Sequence, residues 1–360
     1  MSKNNIKLLS LTNCVLEYRI PVYNLLAQSF DVTVAHYGKR IDDSGINFKQ
    51  IILTPRNIGP FVFFKENIGE LASKYDAVIA LGELRFLPFM RLGFLINRKF
   101  SLTFWNIGVS ASYNKKFDED RSLDFVRFGL LNRADSIVFY TDYPVKRYVE
   151  DGGIAKEKLF VANNTVEVLE RISIKKDKSH FLFVGTLYKA KKIFDLLEAY
   201  LLANNIASIK PLIIIGDGEE RMNILNWIKE NDLESKITLT GAVFEQQVLK
   251  SYYKDAIALI SPGQAGLTVL NSFAYGVPFV TSENAITGGE VFNIKNGVNG
   301  IIYKESVTRL SEILVELSND ALAVNNMSIN AQNYYFNERT IDVMVSGLKD
   351  SVSYAYSKIK

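Results

Sequence analysis

Short runs of consecutive apolar residues recur along the whole chain, and a helical pattern separates each from the next. In the first half the runs are IKLLSL, DVTVAHY, FKQIIL, AVIAL, SLTFW, SIVFY and KLFVA. In the second they are HFLFVG, PLIIIG, KITLTG, AIALIS and VPFVT. A strand with apolar residues at successive positions has both of its faces covered, because side chains alternate from one face to the other. Helical patterns at 193–202 and 219–230 supply such cover. Strands alternating with helices predict open, mostly parallel sheets wound on both sides. At 360 residues the chain is too long for one ordinary core, so two domains are expected. The polar, lysine-rich stretch RISIKKDKSH at 171–180 is the natural break. In this architecture ligands bind beyond the carboxyl ends of the strands.

Composition removes several classes of function. Cys14 is the one cysteine, which excludes a disulfide framework and a thiolate zinc site. His36 and His180 are the only histidines, too few for histidine-rich metal chemistry, and both are expected to be structural. Aromatic residues make up 12% of the chain, but no basic stripe accompanies them, so nucleic acid is not an expected partner. The net charge of +3 is compatible with an anionic substrate and identifies none. No apolar run is long enough to cross a membrane, and the start MSKNNIKLLSL lacks a secretory signal's hydrophobic length.

The segment at 261–299 is the most informative for chemistry. The strand AIALIS runs into a loop containing Gly263 and Gly266, and a helical pattern begins near Leu267 and ends at Gly276. A glycine loop feeding a helix start makes an anion site, because first-turn N–H groups have no partner inside the helix. A diphosphate is the expected guest. A plain crossover turn without a ligand would carry the same local pattern.

Five consecutive pieces carry a resemblance. They are FVGTLYKAKKIFDLLEAY, LIIIGDGEE, ITLTGAVFEQQVLKSYYKDAIALISPG, LTVLNSFAYGVPFVTSE and EVFNIKNGVNG. In this order they resemble the donor half of the retaining family 4 glycosyltransferases. The resemblance implies an α/β chain of GT-B fold, with two Rossmann-like domains whose doubly wound parallel sheets face a central cleft. Residues 1–172 would bind the acceptor and 173–340 the nucleotide sugar. A helix at 341–360 would pack back on the first domain. The implied activity is metal-independent transfer of a sugar from a UDP- or GDP-sugar to a glycan or polyprenyl-diphosphate-linked saccharide, with retention, in bacterial surface polysaccharide assembly. The donor is a substrate, and no cofactor is required.

The same resemblance assigns residues. Lys191 would neutralise the diphosphate, with Lys189 and Lys192 beside it, while Gly185 and Thr186 line the phosphate loop. Val243 would lie against the base. Gln264, Ala265, Gly266, Leu267 and Thr268 would surround the sugar and phosphate, Asn271 would meet the ribose, and Glu290 would reach the donor or cap a turn. Lys191, Asn271 and Gln264 are the catalytic candidates. Departures from the family stand at Gly263 and Asn271, where it usually has two glutamates, and at Thr186, where it has an arginine. The histidine it often carries near SLTFWNIG is absent. Either the subfamily makes different sugar contacts, or the chain is an inert nucleotide-sugar-binding or scaffold subunit. On the first alternative, Gly263→Glu is expected to impair transfer while sparing the fold.

Acceptor-side candidates are Glu17, Arg19, Glu83 and Asn106, all following first-half strands. The run LRFLPFMRLGFLINRKF at 84–100 mixes large apolar residues with Arg85, Arg91, Arg98 and Lys99. It reads as a buried helix with basic ends or as a surface lying on the inner membrane leaflet. The expected location is cytoplasmic, with peripheral contact at that leaflet as the second of these readings.

Overall fold

The computed structural model describes residues 6–110 and 117–359. The described residues divide into two compact units, 6–110, 118–167 and 340–359 in one, and 117 with 168–339 in the other.

The first unit is built on β1 (Lys7–Leu11), β2 (Asp31–His36), β3 (Lys49–Ile52), β4 (Pro55–Ile58), β5 (Phe61–Phe64), β6 (Ala77–Leu81), β7 (Ser101–Asn106), β8 (Ser136–Phe139) and β9 (Leu159–Val161). Seven of these form one sheet in the order β3-β2-β1-β6-β7-β8-β9, and every neighbouring pair is parallel. Strand residues alternate between two separate cores. Leu9, Val78, Leu102 and Phe104 enter one, while Leu8, Ala77, Ile79 and Trp105 enter the other. The sheet is therefore covered on both faces, as its consecutive apolar runs require. Helices α1 (Ile20–Leu26), α2 (Ile68–Ala72), α3 (Leu87–Met90), α4 (Asp124–Leu131) and α5 (Val145–Glu150) connect the strands.

The second unit carries β10 (His180–Val184), β11 (Leu212–Ile215), β12 (Ile237–Gly241), β13 (Ala256–Ile260), β14 (Gln264–Ala265), β15 (Phe279–Ser282), β16 (Ile286–Thr287) and β17 (Gly300–Tyr303). Six form a parallel sheet in the order β12-β11-β10-β13-β15-β17, the Rossmann arrangement whose crossover point lies beside β10. Its helices are α6 (Ile193–Ile206), α7 (Arg221–Glu230), α8 (Gln246–Asp255), α9 (Thr268–Ala274), α10 (Val307–Asn319) and α11 (Ala321–Glu338). The last helix, α12 (Ile341–Ser357), returns to the first unit. There Met344, Val345, Leu348 and Val352 join the core containing Trp105 and Val138.

Three features differ from the sequence expectation. The antiparallel hairpin β4–β5 stands apart from the main sheet. Strand β17 closes the edge of the second sheet. The run at 84–100 does not form one long helix. It breaks into α3, a 3-10 turn at Arg91–Phe94 and a loop, because Pro88 sits at the helix start and Gly93 interrupts its end. Phe86, Phe89, Met90 and Leu92 are buried, whereas Phe94 and Ile96 are exposed.

Candidate functional site

In the second unit the expected donor residues converge on the carboxyl end of β10. The strand ends at Gly185, and a 3-10 turn at Lys189–Lys191 follows. The Lys191 side chain folds back over the strand end, so that a Cβ at Gly185 would stand 3.2 Å from its Nζ. The backbone φ of +154° at this position favours glycine. Lys191 is only 8% exposed, and its ammonium makes no hydrogen bond or ion pair with a described residue. The Tyr188 ring lies 5.9 Å away. Burial pushes the lysine pKa down to about 8. Lys192 is differently placed, since it pairs with Glu305, which also accepts from Asn284. Lys189 and Thr186 are exposed.

The loop after β13 lies directly against this turn. Gly263 N donates to Lys191 O at 3.2 Å, and Ile286 N donates to Gly263 O at 2.8 Å. Ser261 Oγ, Thr281 Oγ1 and Ser282 Oγ brace the loop through main-chain carbonyls. Gln264 and Ala265 form β14, which pairs with β16. Tyr188 Oη donates to Gln264 Oε1 at 2.7 Å, fixing the amide and leaving its NH2 as a donor. Helix α9 then begins at Thr268 with no side-chain cap, after Gly266 and Leu267. Asn271 is half-buried on this helix, and its amide bonds to no described residue.

Gly263 is not a vacancy into which a carboxylate side chain would fit. A Cβ on it would lie 2.2 Å from Ala190 O and 2.7 Å from the Lys191 carbonyl carbon. Gly263→Glu is therefore expected to cost stability even though the fold is kept: main chain crosses main chain here, and neither can yield cheaply.

Glu290 is buried and turns back on its own loop, where its Oε2 accepts from Gly288 N at 3.0 Å. Val243 lies beyond the end of β12, and the neighbouring Phe244 is 90% exposed. Phe244 and Tyr188 are not among the residues expected from the sequence. An aromatic residue beside the expected base position marks the first. Nothing local marks the second, whose partner lies 76 residues away.

In the first unit, Glu17, Arg19, Glu83 and Asn106 all stand at the carboxyl edge of the parallel sheet, after β1, β6 and β7. Arg19 turns inward. It is buried among the rings of Tyr18, Trp105 and Tyr140 at 5.1, 4.8 and 5.1 Å, and it donates to Asn164 Oδ1 at 2.8 Å. Glu17 is exposed. Glu83 touches solvent at a crowded strand end, and desolvation by the surrounding protein raises its pKa. Asn106 is 2% exposed, and neither its Oδ1 nor its Nδ2 has a hydrogen-bond partner. Gly82 faces it so closely that a Cβ there would stand 2.9 Å from Nδ2. A buried amide with neither group satisfied is rare and needs a partner, either an ordered water or a ligand.

His36 and His180 are both turned inward. His36 Nε2 lies 3.4 Å from Gln50 Oε1, and His180 Nε2 lies 3.0 Å from Tyr252 O. Among the described residues, no three His, Cys, Asp or Glu side chains come together as a metal site.

Residues 166–334 match the family described as Glycosyl transferases group 1. Over 219 residues the sequence is 29% identical to the Escherichia coli UDP-Gal:alpha-D-GlcNAc-diphosphoundecaprenol alpha-1,3-galactosyltransferase, covering 59% of this chain and 54% of that one. Over 192 residues it is 21% identical to the Bacillus anthracis N-acetyl-alpha-D-glucosaminyl L-malate synthase, covering 53% and 49%. The chain thus spans about half the length of the curated relatives it matches. Its fold is similar to that of Anabaena HepE, solved in complex with UDP. The TM-score is 0.73 at 14% identity, over 97% of this chain and 100% of that one. The architecture is GT-B, two Rossmann-like units each built on a parallel sheet.

Proposed function

We propose that the protein is a glycosyltransferase that takes a UDP-sugar and passes the sugar, with retention, to a lipid-linked saccharide during bacterial surface polysaccharide assembly. The observation that carries this is Lys191, a largely buried lysine without a counter-ion at the end of the strand beside the crossover point. An unpaired buried cation is costly, and a diphosphate would repay the cost. HepE was solved with UDP, and the E. coli relative is named for transfer to a diphosphoundecaprenol-linked sugar. Both favour the same substrate classes here.

The remaining residues have definite parts. Asn271 has an uncommitted amide for the ribose diol. Gln264, held by Tyr188, offers its NH2 to the donor sugar. Val243 and Phe244 flank the base. Thr186, Gly266, Leu267 and Thr268 border the phosphates with hydroxyl and main-chain donors, and Ala265 packs beneath them. Glu290 holds the 287–291 turn in shape. On the acceptor side Asn106 grips a hydroxyl pair, Glu17 and Glu83 flank it, and Arg19 braces the strand ends from behind. Retention needs no enzymatic base, since a donor phosphate oxygen can take the acceptor proton while Lys191 steadies the departing diphosphate. No metal is required. One feature favours turnover over an inert subunit: Gly263 has a packing reason to be glycine and is not a lost catalytic position.

Incubation with a panel of UDP-sugars and a polyprenyl-diphosphate N-acetylhexosamine should release UDP, and product NMR should show an axial donor bond remaining axial. An equatorial product would refute retention, and donor binding without turnover on any acceptor would favour the inert subunit.

Asn106 gives a separate test. Alanine fits the site without overpacking and carries no orphaned polar atoms, and relief of an unmet amide is worth about 1–3 kcal/mol. Asn106→Ala should therefore hold the melting temperature or raise it by a few degrees. It should also lower kcat/KM for the acceptor by roughly 10–100-fold. A lower melting temperature with unchanged acceptor kinetics would show that the amide has no ligand.

A further inference from the structure

Beyond the carboxyl ends of β7 and β8, Asp118 gathers bonds from several segments. Its carboxylate accepts from Arg147 Nη1 at 2.6 and 2.8 Å, from Tyr143 Oη at 2.9 Å and from Arg121 Nη2 at 2.9 Å. Its main-chain N–H donates to Ser110 O at 2.8 Å. The residue holds φ +59°, a left-handed conformation that a residue other than glycine keeps only where its surroundings fix it. Arg147, on α5, carries the tie further. Its Nη2 donates to Gly108 O at 3.4 Å, and its Nε faces Asp124 Oδ2 at 3.5 Å, while Asp124 pairs in turn with Arg127. The side chains of Asp118, Asp124, Arg127 and Arg147 are no more than 13% exposed.

These bonds converge on the turn at 106–110. Asn106 is still in β7, opposite Phe139 of β8. Gly108, at φ +79°, lies against the start of α5, so that a Cβ on it would stand 2.6 Å from Pro144 Cγ. Ser110 is held by Asp118. The turn is thus fastened to α5 at its middle and to Asp118 at its far end, and Arg147 fastens those two to each other. Charges buried in this way add little stability over apolar packing of the same volume, because desolvation offsets their attraction. What charge-assisted bonds of fixed direction do supply is position. The turn they position begins at Asn106, whose amide has no partner.

We infer that Asp118 and Arg147 are positioning residues for the acceptor: through the 106–110 turn they hold the Asn106 amide where it meets the acceptor hydroxyls. Neither touches the substrate. The inference rests on the reading of Asn106 as an acceptor contact.

Arg147→Lys and Asp118→Asn test it. Lysine keeps the charge beside Asp118 and Asp124 and loses the second arm, which reaches Gly108. Asparagine keeps an acceptor oxygen and loses the charge. Arg147→Lys should lower kcat/KM for the acceptor about tenfold and Asp118→Asn roughly 10–100-fold. Most of the change should be a rise in acceptor KM, with UDP affinity unchanged. A double-mutant cycle is decisive, and either variant serves for it. If both residues act through Asn106, adding the change to Asn106→Ala should cost no further acceptor efficiency. Losses that multiply, or UDP affinity falling in step with acceptor efficiency, overturn the inference, since the cluster would then merely support the fold. NMR supplies a readout without catalysis. In protein isotope-labelled on asparagine, the Asn106 side-chain NH2 signals, identified by their loss in Asn106→Ala, should shift or split in Arg147→Lys and Asp118→Asn. Unmoved signals overturn the inference whatever the kinetics. Moved signals in a chain that transfers no sugar would refute the proposed activity and leave the hold on Asn106 standing.

Discussion

Lys191→Ala should lower sugar-transfer turnover by about one to three orders of magnitude, equivalent to roughly 1.4–4 kcal/mol of transition-state stabilisation. UDP affinity should fall with it, while the fold is retained or gains in stability. The last point follows from burial. A depression of the lysine pKa from 10.5 to about 8 means that the ammonium is disfavoured at its site by about 3 kcal/mol. Removing it relieves that cost, as is usual where a site is kept ready for a charged ligand. Lys189→Ala should do far less, since its side chain lies exposed, and Lys192→Ala removes mainly a pairing with Glu305. Calorimetry with UDP and an assay of UDP release would read both effects. Unchanged catalytic efficiency in a folded Lys191→Ala protein would place the diphosphate elsewhere.

The pH dependence makes the same prediction sharper. The protonated form of Lys191 is the one that attracts a diphosphate, and its pKa in the free protein is about 8. UDP affinity should therefore be flat between about pH 6.5, where the terminal phosphate is largely ionised, and that value, and fall as pH rises through it, by up to about tenfold per unit. The fall continues until the higher pKa of the complex is reached. Lys191→Arg keeps the charge throughout this range, so its profile should be flat where that of the unaltered chain falls. Parallel profiles for the two proteins would show that some other group titrates.

All seven strands of the first sheet and five of the six in the second could be read from the chain, because most are runs of apolar residues between polar turns. What escaped had no such mark. In β4–β5 the sequence PRNI-GP-FVFF looks like a loop, since Pro55, Gly59 and Pro60 punctuate it and the first strand is wholly exposed. Strand β17 is a half-buried tetrapeptide opening on a glycine. The site divides in the same way. Lys191 follows a strand-end glycine at short range and could be found locally. The Tyr188–Gln264 bond and the fit of Gly263 under Lys191 join segments some 70 residues apart, so only the folded sheet brings them together. Asn106 could be placed at a strand end, but its unmet amide is a property of what surrounds it. Arg19 illustrates the reverse error in kind: position suggested an outward cation, while three aromatic rings and Asn164 hold it inside.

Gly263→Ala should be nearly as damaging as Gly263→Glu, and this equality separates packing from specificity. The side-chain charge is not the first obstacle, because the Cβ atom itself would stand 2.2 Å from Ala190 O. Real structures relieve such contacts by moving backbone, and two braced segments resist the movement. One is the Lys189–Lys191 turn; the other is the 261–265 loop, tied by Ser261, Ser282 and Ile286. Overpacking of this kind costs about 1–3 kcal/mol, which a two-unit protein of this size survives. Function is less tolerant. The same displacement carries Lys191 on one side and Gln264 on the other, the two groups proposed to hold diphosphate and sugar. A shift of about 1 Å in such groups can cost on the order of 100-fold in rate. Both variants should therefore show a lower melting temperature, weaker UDP binding and turnover reduced by ~100-fold or more. Gly263→Glu should be the worse of the two by only a modest factor, because its carboxylate can reach water once the loop has moved. A Gly263→Ala protein with ordinary melting and turnover would sink the packing account. If that variant were silent while Gly263→Glu alone failed, the glycine would be set by the donor sugar and not by the crossing of two main chains.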